Sequence, residues 1–222
     1  MLVPVFDTNV CIYDYEDFGS FKGKKNLEAA IDKLFSLPVV IDEPNVADAQ
    51  GGRALSTVHL DKKHIIDLLD LENSPLGNWI LTRMLITAAE LGFDKSRDIR
   101  KFKFHRTWAN RMYKNCDAIA HRHALENQVI PHLVGIYYHE VPDNSADLIF
   151  IDDDNLNEIR GGRYYDYPEE KQFWVKPKAG RLVCHDASIL HATSIHESEL
   201  ARTCFIIEVG FPPLDKQTAS KD

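Results

Sequence analysis

The spacing of apolar residues along the chain changes near Arg100. Before that residue, apolar side chains recur at helical spacing over three segments: residues 26–37, residues 61–71, and residues 75 up to Gly92. The third segment opens with Ser74 and Pro75, which are typical of an N-cap and a first helical position. Residues 2–13 alternate like a strand. The pattern therefore predicts three helices and one strand in the first half.

After Arg100 the chain alternates polar and apolar residues with a period of two, as strands do. Turn residues such as Asn, Asp, Gly and Pro separate the alternating runs. The runs cover residues 101–105, 107–113, 119–123, 133–141, 148–152, 173–176, 181–184, 189–193 and 204–211. Helices followed by many short strands predict a mainly β, α+β chain, built as a small β-barrel or jelly roll braced by helices.

The length of 222 residues suits a single domain, residues 1–222. We expect residues 1–100 to form a support of helices and strands, and residues 101–213 to form the β core. Residues 214–222 are polar, so we expect a flexible tail there.

The formal net charge of −8 argues against a general nucleic-acid or anionic-membrane binder, because phosphates attract Lys and Arg. Four basic residues do lie close together: Lys101, Lys103, Arg106 and Arg111. A solvated strand edge explains them as well as a nucleic-acid contact does. We therefore do not expect nucleic acid as a partner.

The cysteines and the N-terminal segment bear on location. Cys11, Cys116, Cys184 and Cys204 show no CxxC spacing, which predicts buried free thiols in a reducing compartment. The first residues lack a basic region followed by an apolar core, and no run of about 18 apolar residues exists. We therefore expect neither a signal peptide nor a membrane span, and we predict a cytoplasmic protein.

Two of the ten histidines, His121 and His123, stand two residues apart in a strand-like run. Residues at this spacing in a strand point to the same face, so both rings can aim into a barrel and share a metal ion. Neutral imidazole suits Fe, Zn, Cu or Ni. Two histidines among ten coincide at this spacing easily, so the pair alone is a weak indication of a metal site.

A tight turn at Gly180 leads into a strand and then to His191, and Arg202 follows at the start of an apolar run. A guanidinium on an inward-facing strand needs a partner, because an unpaired buried charge is costly. The carboxylate of a small molecule matches the guanidinium fork. A salt bridge to one of the 34 acidic residues is the structural alternative, and the residues themselves leave both open.

At this point the sequence resembles a known family over residues 102–212. The resemblance is carried by residues 108–113, the His121 and His123 pair, residues 134–142 with the Tyr137-Tyr138 dipeptide, residues 147–150, the turn at Gly180, His191 and residues 202–206. These segments resemble the 2OG-Fe(II) (2-oxoglutarate- and iron-dependent) oxygenases and are similar to the prolyl-4-hydroxylase-like branch. The family's fold is the double-stranded β-helix, a cupin-like jelly roll.

The resemblance implies a role for each matched residue. His121 and His191 would bind Fe(II), and Arg202 would pair with the remote carboxylate of 2-oxoglutarate. Tyr138 would hydrogen-bond the same carboxylate. Tyr113 is matched to a co-substrate contact less closely, and two polar supports, Thr203 and Thr193, complete the expectation. The implied activity uses O2, hydroxylates an unidentified small molecule or a peptide or protein side chain, and releases succinate and CO2. Ascorbate is a stimulant to be tested. We expect a monomer or a homodimer.

One position departs from the family pattern. The common motif is His-x-Asp or His-x-Glu, and here the acidic position is His123. Three histidines could bind the metal, which is the interpretation we favour; a nearby acid, Glu126 or Asp117, could substitute; or the ligand set could be incomplete. A literal His-x-Asp exists at His59-Leu60-Asp61, but Asp61 precedes a helical run and is expected to be a helix N-cap.

Two other functions are compatible with the same barrel. One is a cupin-like protein that binds a metal or a small acid without turnover. The other is a three-histidine dioxygenase that does not use 2-oxoglutarate, and Arg202 argues against it because that chemistry needs no carboxylate anchor. The catalytic set under the favoured hypothesis is His121, His123, His191 and Arg202. Residues 152–167, with a hinge candidate at Gly161-Gly162, would select the prime substrate.

Overall fold

A computed structural model describes residues 1–20, 23–37, 40–42, 46–48, 53–124, 131–153 and 162–214. The helices are α1 Lys24–Phe35, α2 Lys63–Leu69 and α3 Pro75–Glu90. The strands of the first half are β1 Leu2–Val5, β2 Thr8–Asp14, β3 Ile41–Asp42, β4 Val46–Asp48 and β5 Ala54–Ser56. Those of the second half are β6 Lys103–Met112, β7 Cys116–Ala118, β8 Leu133–Glu140, β9 Leu148–Ile151, β10 Gln172–Val175, β11 Arg181–Asp186, β12 His191–Thr193 and β13 Arg202–Gly210.

The strands of the described residues form one large sheet and two small ones. The large sheet has the order β1-β2-β11-β8-β13-β6-β5-β3, and the small ones are β10-β9-β12 and β4-β7. The pairs at the centre of the large sheet, β13 with β6 and β13 with β8, are antiparallel. The predicted mainly β fold with supporting helices is confirmed, as a double-stranded β-helix in which the sheet of β10, β9 and β12 faces the large one.

Strand β13 shows how the large sheet is buried on both faces. Phe205, Ile207 and Val209 pack in a cluster with side chains of all three helices. Cys204 and Ile206 point the other way, into a second cluster with β9 and β10 of the small sheet. A strand that is covered on both faces buries every residue, and all residues of β13 are buried. Its sequence accordingly has consecutive apolar residues from Cys204 to Ile207, between the polar pair Arg202-Thr203 and Glu208.

The helices of the first half back the large sheet, as expected from the change of period. Helix α3 lies against β8, where a Cβ on Gly135 would stand 3.0 Å from the Met84 sulfur. The predicted N-cap is confirmed, since the Ser74 hydroxyl accepts a hydrogen bond from the Gly77 amide at 2.8 Å. This layer holds β8 and β13 from behind, so that their other face has a fixed position.

Three predicted elements differ in their bounds. Residues 2–13 form two strands, β1 and β2, because Phe6 takes a left-handed φ of 55° and turns the chain back. Residues 101–113 form mainly one strand, β6.

Residues 119–123 are not a strand: they make one isolated bridge, between His121 and His191. The amides of this segment bond to separate partners, such as Ala120 to the Gly162 carbonyl, so no ladder forms. The expected tail, apart from Leu214, lies outside the described residues.

Helices α2 and α3 meet at Gly77 without room for a side chain. A Cβ on this residue would lie 2.3 Å from the Asp70 carbonyl oxygen and 2.4 Å from the Leu71 Cα. Both are backbone atoms of the connection between the helices, so neither can rotate away.

We predict that Gly77→Ala lowers the free energy of unfolding by about 1–3 kcal/mol, the usual cost of overpacking. The direction is opposite to the ordinary preference for Ala over Gly in a helix. Thermal unfolding measures the change. Gly19→Ala is the matched control, because a Cβ there meets no atom within 4 Å. A Gly77→Ala variant that melts at or above the wild-type temperature would contradict the packing described.

His139 is buried on the helix side of β8 among aromatic rings. Its centroid lies 5.6 Å from that of Phe18 and 6.2 Å from that of Phe205. Neither ring nitrogen has a hydrogen-bond partner among the described residues. Burial lowers the pKa of His139 to about 4, because the charged ring would lose its water without gaining a partner.

We predict that His139→Phe reduces the loss of stability in acid. An unfolded His titrates near pH 6.5, so His139 costs nothing above that pH and destabilises the fold as the pH falls from about 6.5 to about 4. The cost at pH 4 is on the order of 3 kcal/mol. Urea unfolding at pH 7 and pH 4.5 measures the difference between variant and wild type. His64→Phe, at an exposed position of α2, should leave the pH dependence unchanged.

Candidate metal centre

Three histidine rings converge at one end of the barrel interior. His191 opens β12, and the backbone bridge between His191 and His121 brings the segment after β7 alongside it. His123 follows on the same segment. One nitrogen of each ring lies within 4.8 Å of the other two, and the Nε2 atoms of His123 and His191 are 3.3 Å apart. The predicted pair and the distal histidine therefore form one cluster.

Hydrogen bonds on the far side of each ring orient all three. His121 Nδ1 lies 2.8 Å from the Ile119 carbonyl oxygen, and His191 Nδ1 lies 3.0 Å from the Ile189 carbonyl oxygen. A carbonyl oxygen only accepts, so each Nδ1 carries the proton and donates it. In both rings Nε2 is then left with its lone pair toward the cluster, which is the form that binds a metal.

Burial also keeps these rings neutral. The pKa of His121 is lowered to about 4, mainly by burial and next by the neighbouring His123. The pKa of His191 lies well below its ordinary value for the same first cause, with His121 next. Metal ligation requires the neutral imidazole, so no proton has to be removed near neutral pH.

The spacing of the three rings fits a metal ion. Two nitrogens that bind one ion at right angles, each at about 2.1 Å, lie about 3 Å apart. The His123 to His191 distance is close to that value. Imidazole ligands suit iron and leave coordination positions open for further ligands. Within the described part of the chain, this is the one group of three or more His, Cys, Asp or Glu side chains arranged to hold a metal ion.

Neither acid considered from the sequence joins this cluster. Asp117 is buried and does not belong to the metal-binding group; its nearest charged partner is Arg163, 3.8 Å away. Glu126 lies outside the described residues. In the rival motif, Asp61 stands one residue before the N-cap of α2, which is Lys62 and not Asp61 as expected. Its carboxylate accepts a hydrogen bond from the Lys63 amide, and it does not belong to the metal-binding group.

A carboxylate that the sequence analysis missed lies behind His123. Glu208, on β13, is completely buried, and its Oε1 is 2.6 Å from His123 Nδ1. Arg106 holds both oxygens of Glu208, at 2.8 Å and 2.7 Å. The signal was present, because residues 202, 204, 206 and 208 share one face of a strand. An inward-facing Arg202 therefore implies an inward-facing Glu208.

A fourth histidine, His185 on β11, packs beside the cluster with its ring centroid 4.8 Å from that of His191. Its Nδ1 donates to the Asp186 carbonyl, and its Nε2 has no partner among the described residues. Burial lowers the pKa of His185 to about 3, so the ring is neutral.

A cavity of about 70 Å³ between the two sheets is lined by the three histidines and by Arg202, with Tyr138 and Thr193 among its walls. Arg202 is 4% exposed. Its Nη1 donates to the Ala146 carbonyl at 2.7 Å, its guanidinium stands 5.6 Å from the centre of the Tyr138 ring, and its Nε has no partner in the described structure. A buried guanidinium with an unused donor in a cavity fits an anionic ligand.

Two predicted contact residues lie elsewhere. Tyr113 follows β6, is exposed, and is not among the residues that line the cavity. Thr203 is buried on the opposite face of β13 from Arg202, where its hydroxyl bonds Arg111 and Glu140. The structure therefore does not bring either residue together with the histidines and Arg202.

Most of the local basic patch is paired. Lys101 lies near Asp98, Arg106 binds Glu208, and Arg111 binds Asp32 and Glu140. The prediction of buried free cysteines is confirmed for all four. None of the helices in the described part of the chain has the length and apolar character of a membrane span.

Residues 152–167, expected to select the prime substrate, are described only in part, and Gly161 lies outside the described residues. In the described part of this segment, Tyr167 is buried and Tyr165 is exposed. Tyr164, Tyr165 and Tyr167 are not among the residues that line the histidine cavity.

Comparison with known proteins gives a consistent result. Residues 106–208 match the family model described as "Putative 2OG-Fe(II) oxygenase". No curated protein matches the chain in sequence. An oxidoreductase of the 2OG-Fe(II) oxygenase family from Burkholderia pseudomallei has a TM-score of 0.56 and 13% identity, covering 93% of this chain and 88% of that one.

Two further structures are similar. The epimerase SnoN from nogalamycin biosynthesis, in complex with Fe3+, alpha ketoglutarate and nogalamycin RO, has a TM-score of 0.57 and 10% identity over 96% of this chain and 87% of that one. A Pseudomonas putida prolyl-4-hydroxylase has a TM-score of 0.51 and 11% identity over 91% of each chain. The double-stranded β-helix of this chain, with residues 106–208 at its centre, is therefore that of the 2OG-Fe(II) oxygenase family.

Proposed function

We propose that the chain is an Fe(II)- and 2-oxoglutarate-dependent oxygenase that hydroxylates a small molecule or a peptide or protein side chain. The observation that carries the proposal is the content of a single cavity. Three histidines with converging ring nitrogens and a buried guanidinium with an unused donor line the same small space. A metal site and a carboxylate site in one cavity are what a keto acid that chelates iron requires.

Each residue of the cavity would have a separate role. His121, His123 and His191 hold the ion through Nε2. Arg202 binds the remote carboxylate of 2-oxoglutarate, and Tyr138 hydrogen-bonds it. When bound, Fe(II) with 2-oxoglutarate and O2 supplies oxidative decarboxylation to succinate and CO2 and the transfer of an oxygen atom to a C–H bond. Apolar walls that include Ile136, Leu148 and Ile206 keep water away from these groups.

The related structures support the cofactors more than the reaction. The SnoN structure contains Fe3+ and alpha ketoglutarate, yet SnoN is an epimerase, whereas the Pseudomonas putida protein is a prolyl-4-hydroxylase. One fold thus serves different outcomes. We propose hydroxylation as the outcome here, with ascorbate as a stimulant. A cytoplasmic location and a monomer or homodimer stay predictions.

The three-histidine ligand set favours one alternative, a dioxygenase that does not use 2-oxoglutarate. Arg202 argues against it, because a buried guanidinium with an unused donor has no role when no acid is bound. Release of succinate from 2-oxoglutarate in the presence of Fe(II) and ascorbate separates the two functions, and also separates the proposed enzyme from a binding protein without turnover.

We predict that His121→Ala and His191→Ala each abolish metal binding, since the two remaining nitrogens hold a divalent ion weakly. Wild-type protein should bind one Co(II), as a surrogate for Fe(II), per chain. Cobalt absorbance or calorimetry measures the binding. His64→Ala, on the surface of α2, is the control and should keep the wild-type stoichiometry. Unchanged metal content in both His121→Ala and His191→Ala would show that the assignment of the metal ligands is wrong.

We predict that Arg202→Ala keeps the metal and loses 2-oxoglutarate. Removing the guanidinium leaves the co-substrate carboxylate unpaired in a buried cavity, which costs about 3–5 kcal/mol, so the affinity should fall at least a hundredfold. Arg202→Lys should recover part of it, because Lys keeps the charge and loses the fork. Tyr138→Phe should cost less, about 0.5–3 kcal/mol, because it removes one hydrogen bond and no charge.

Calorimetric titration of 2-oxoglutarate into the metal-loaded variants gives this ranking. Arg181→Gln is the control, because Arg181 pairs with Asp14 and does not line the cavity. Equal affinity in wild type and Arg202→Ala would rule out the assigned co-substrate site.

A further inference from the structure

The metal cluster has a charge that differs from the family pattern. The family's ligand set of two histidines and one carboxylate carries one negative charge. The set of His121, His123 and His191 carries none, because all three ligands are neutral imidazoles. The departure falls on His123, and Glu208 is the acid that this residue contacts.

The contact has the geometry of a charge-assisted hydrogen bond. His123 Nδ1 and Glu208 Oε1 are 2.6 Å apart, and both side chains are buried. A carboxylate paired with an arginine is an acceptor, so Nδ1 carries the proton and Nε2 is left for the metal. The other two histidines donate to neutral backbone carbonyls instead. His123 is thus the ligand of the three with a carboxylate behind it.

Arg106 fixes this carboxylate without removing its effect on the ring. It bonds both oxygens of Glu208, while its own side chain is 47% exposed against 0% for that of Glu208. The guanidinium charge is therefore partly screened by water, and the carboxylate charge is not. Oε1 of Glu208 contacts both Arg106 and His123, so the buried carboxylate acts directly on the His123 ring.

We propose that Glu208 is a positioning residue that supplies, through His123, the negative charge which the acidic ligand of the family supplies directly. The carboxylate holds the ring in one tautomer and makes Nε2 a stronger electron donor to the metal, so that His123 with Glu208 replaces an Asp or Glu ligand. The inference rests on the proposed function only for the presence of a metal at this cluster.

The position of Glu208 supports this role over a purely structural one. Glu208 and Arg202 lie on the inner face of the same strand, β13. Arg202 borders the co-substrate end of the cavity, and Glu208 stands behind the metal end. A buried acid that served only to pair with the half-exposed Arg106 would need no contact with a metal ligand, and a surface pair would do the same at lower cost.

The experiment measures Co(II) affinity in two backgrounds, wild type and His123→Asp. In the wild-type background Glu208→Gln should weaken Co(II) binding by about 10–100-fold, because Gln keeps the shape and loses the charge. In the His123→Asp background the ligand is itself a carboxylate. Glu208→Gln should then leave the affinity unchanged or raise it, since two carboxylates next to each other repel.

Glu140→Gln is the matched control. Glu140 also bonds an arginine, Arg111, but it does so on the helix side of the large sheet, away from the cavity. It should leave Co(II) affinity unchanged in both backgrounds. Thermal melting of each variant without metal shows whether it is folded. If Glu208→Gln does not fold, Glu208→Asp replaces it, because it withdraws the carboxylate from His123 by one methylene.

Two outcomes would overturn the inference. Unchanged Co(II) affinity in Glu208→Gln would show that the acid acts on the fold alone. An equal loss in both backgrounds would show that Glu208 acts on the metal without His123, as a direct ligand. Neither outcome contradicts the proposed function as long as His121→Ala and His191→Ala lose the metal. Failure of the inference on Glu208 is therefore distinguishable from failure of the proposed function.

Discussion

The site depends on one constraint, which is that a charge buried inside a β-barrel must have a partner there. Strand β13 places two opposite charges, Arg202 and Glu208, on its inner face, where both side chains are almost completely buried. Glu208 is satisfied by Arg106 and His123. Arg202 has one backbone carbonyl and an unused Nε. Glu208 thus has its partners within the chain, whereas Arg202 keeps a donor free for the co-substrate that we propose.

The rest of the fold keeps these charges in place. The helices cover the outer face of the large sheet, and the close approach of Met84 to Gly135 fixes α3 against β8. The small sheet closes the inner face and carries His191 on β12. The proposed metal and carboxylate sites need this rigidity, because an error of about 1 Å in position weakens such sites.

Much of this arrangement was predictable from the sequence. The change of period near Arg100 predicted helices followed by strands, and Ser74 marked the start of α3. His121, His123, His191 and Arg202 were each singled out as candidates, and the structure places all four around one cavity. Their convergence was not evident from spacing alone, because it depends on one backbone bridge between His121 and His191 rather than on a regular strand.

The alternation of side chains along a strand explains two differences between the sequence analysis and the structure, the position of Thr203 and the omission of Glu208. Thr203 adjoins Arg202, so if one faces the cavity the other faces the helices. Glu208 shares the parity of Arg202, but its partners are distant in the chain. The pairing of β13 with β6 brings Arg106 close to it, and the segment after β7 brings His123. Tyr113 follows the end of β6, where the alternation no longer fixes the direction of a side chain.

A crystal structure with Mn(II) and 2-oxoglutarate tests the central claim most directly. We expect the ion bound by the Nε2 atoms of His121, His123 and His191, with the Glu208 to His123 hydrogen bond intact. The remote carboxylate of the ligand should lie within hydrogen-bond distance of Arg202. An ion bound elsewhere, or a carboxylate that does not reach Arg202, would contradict the account.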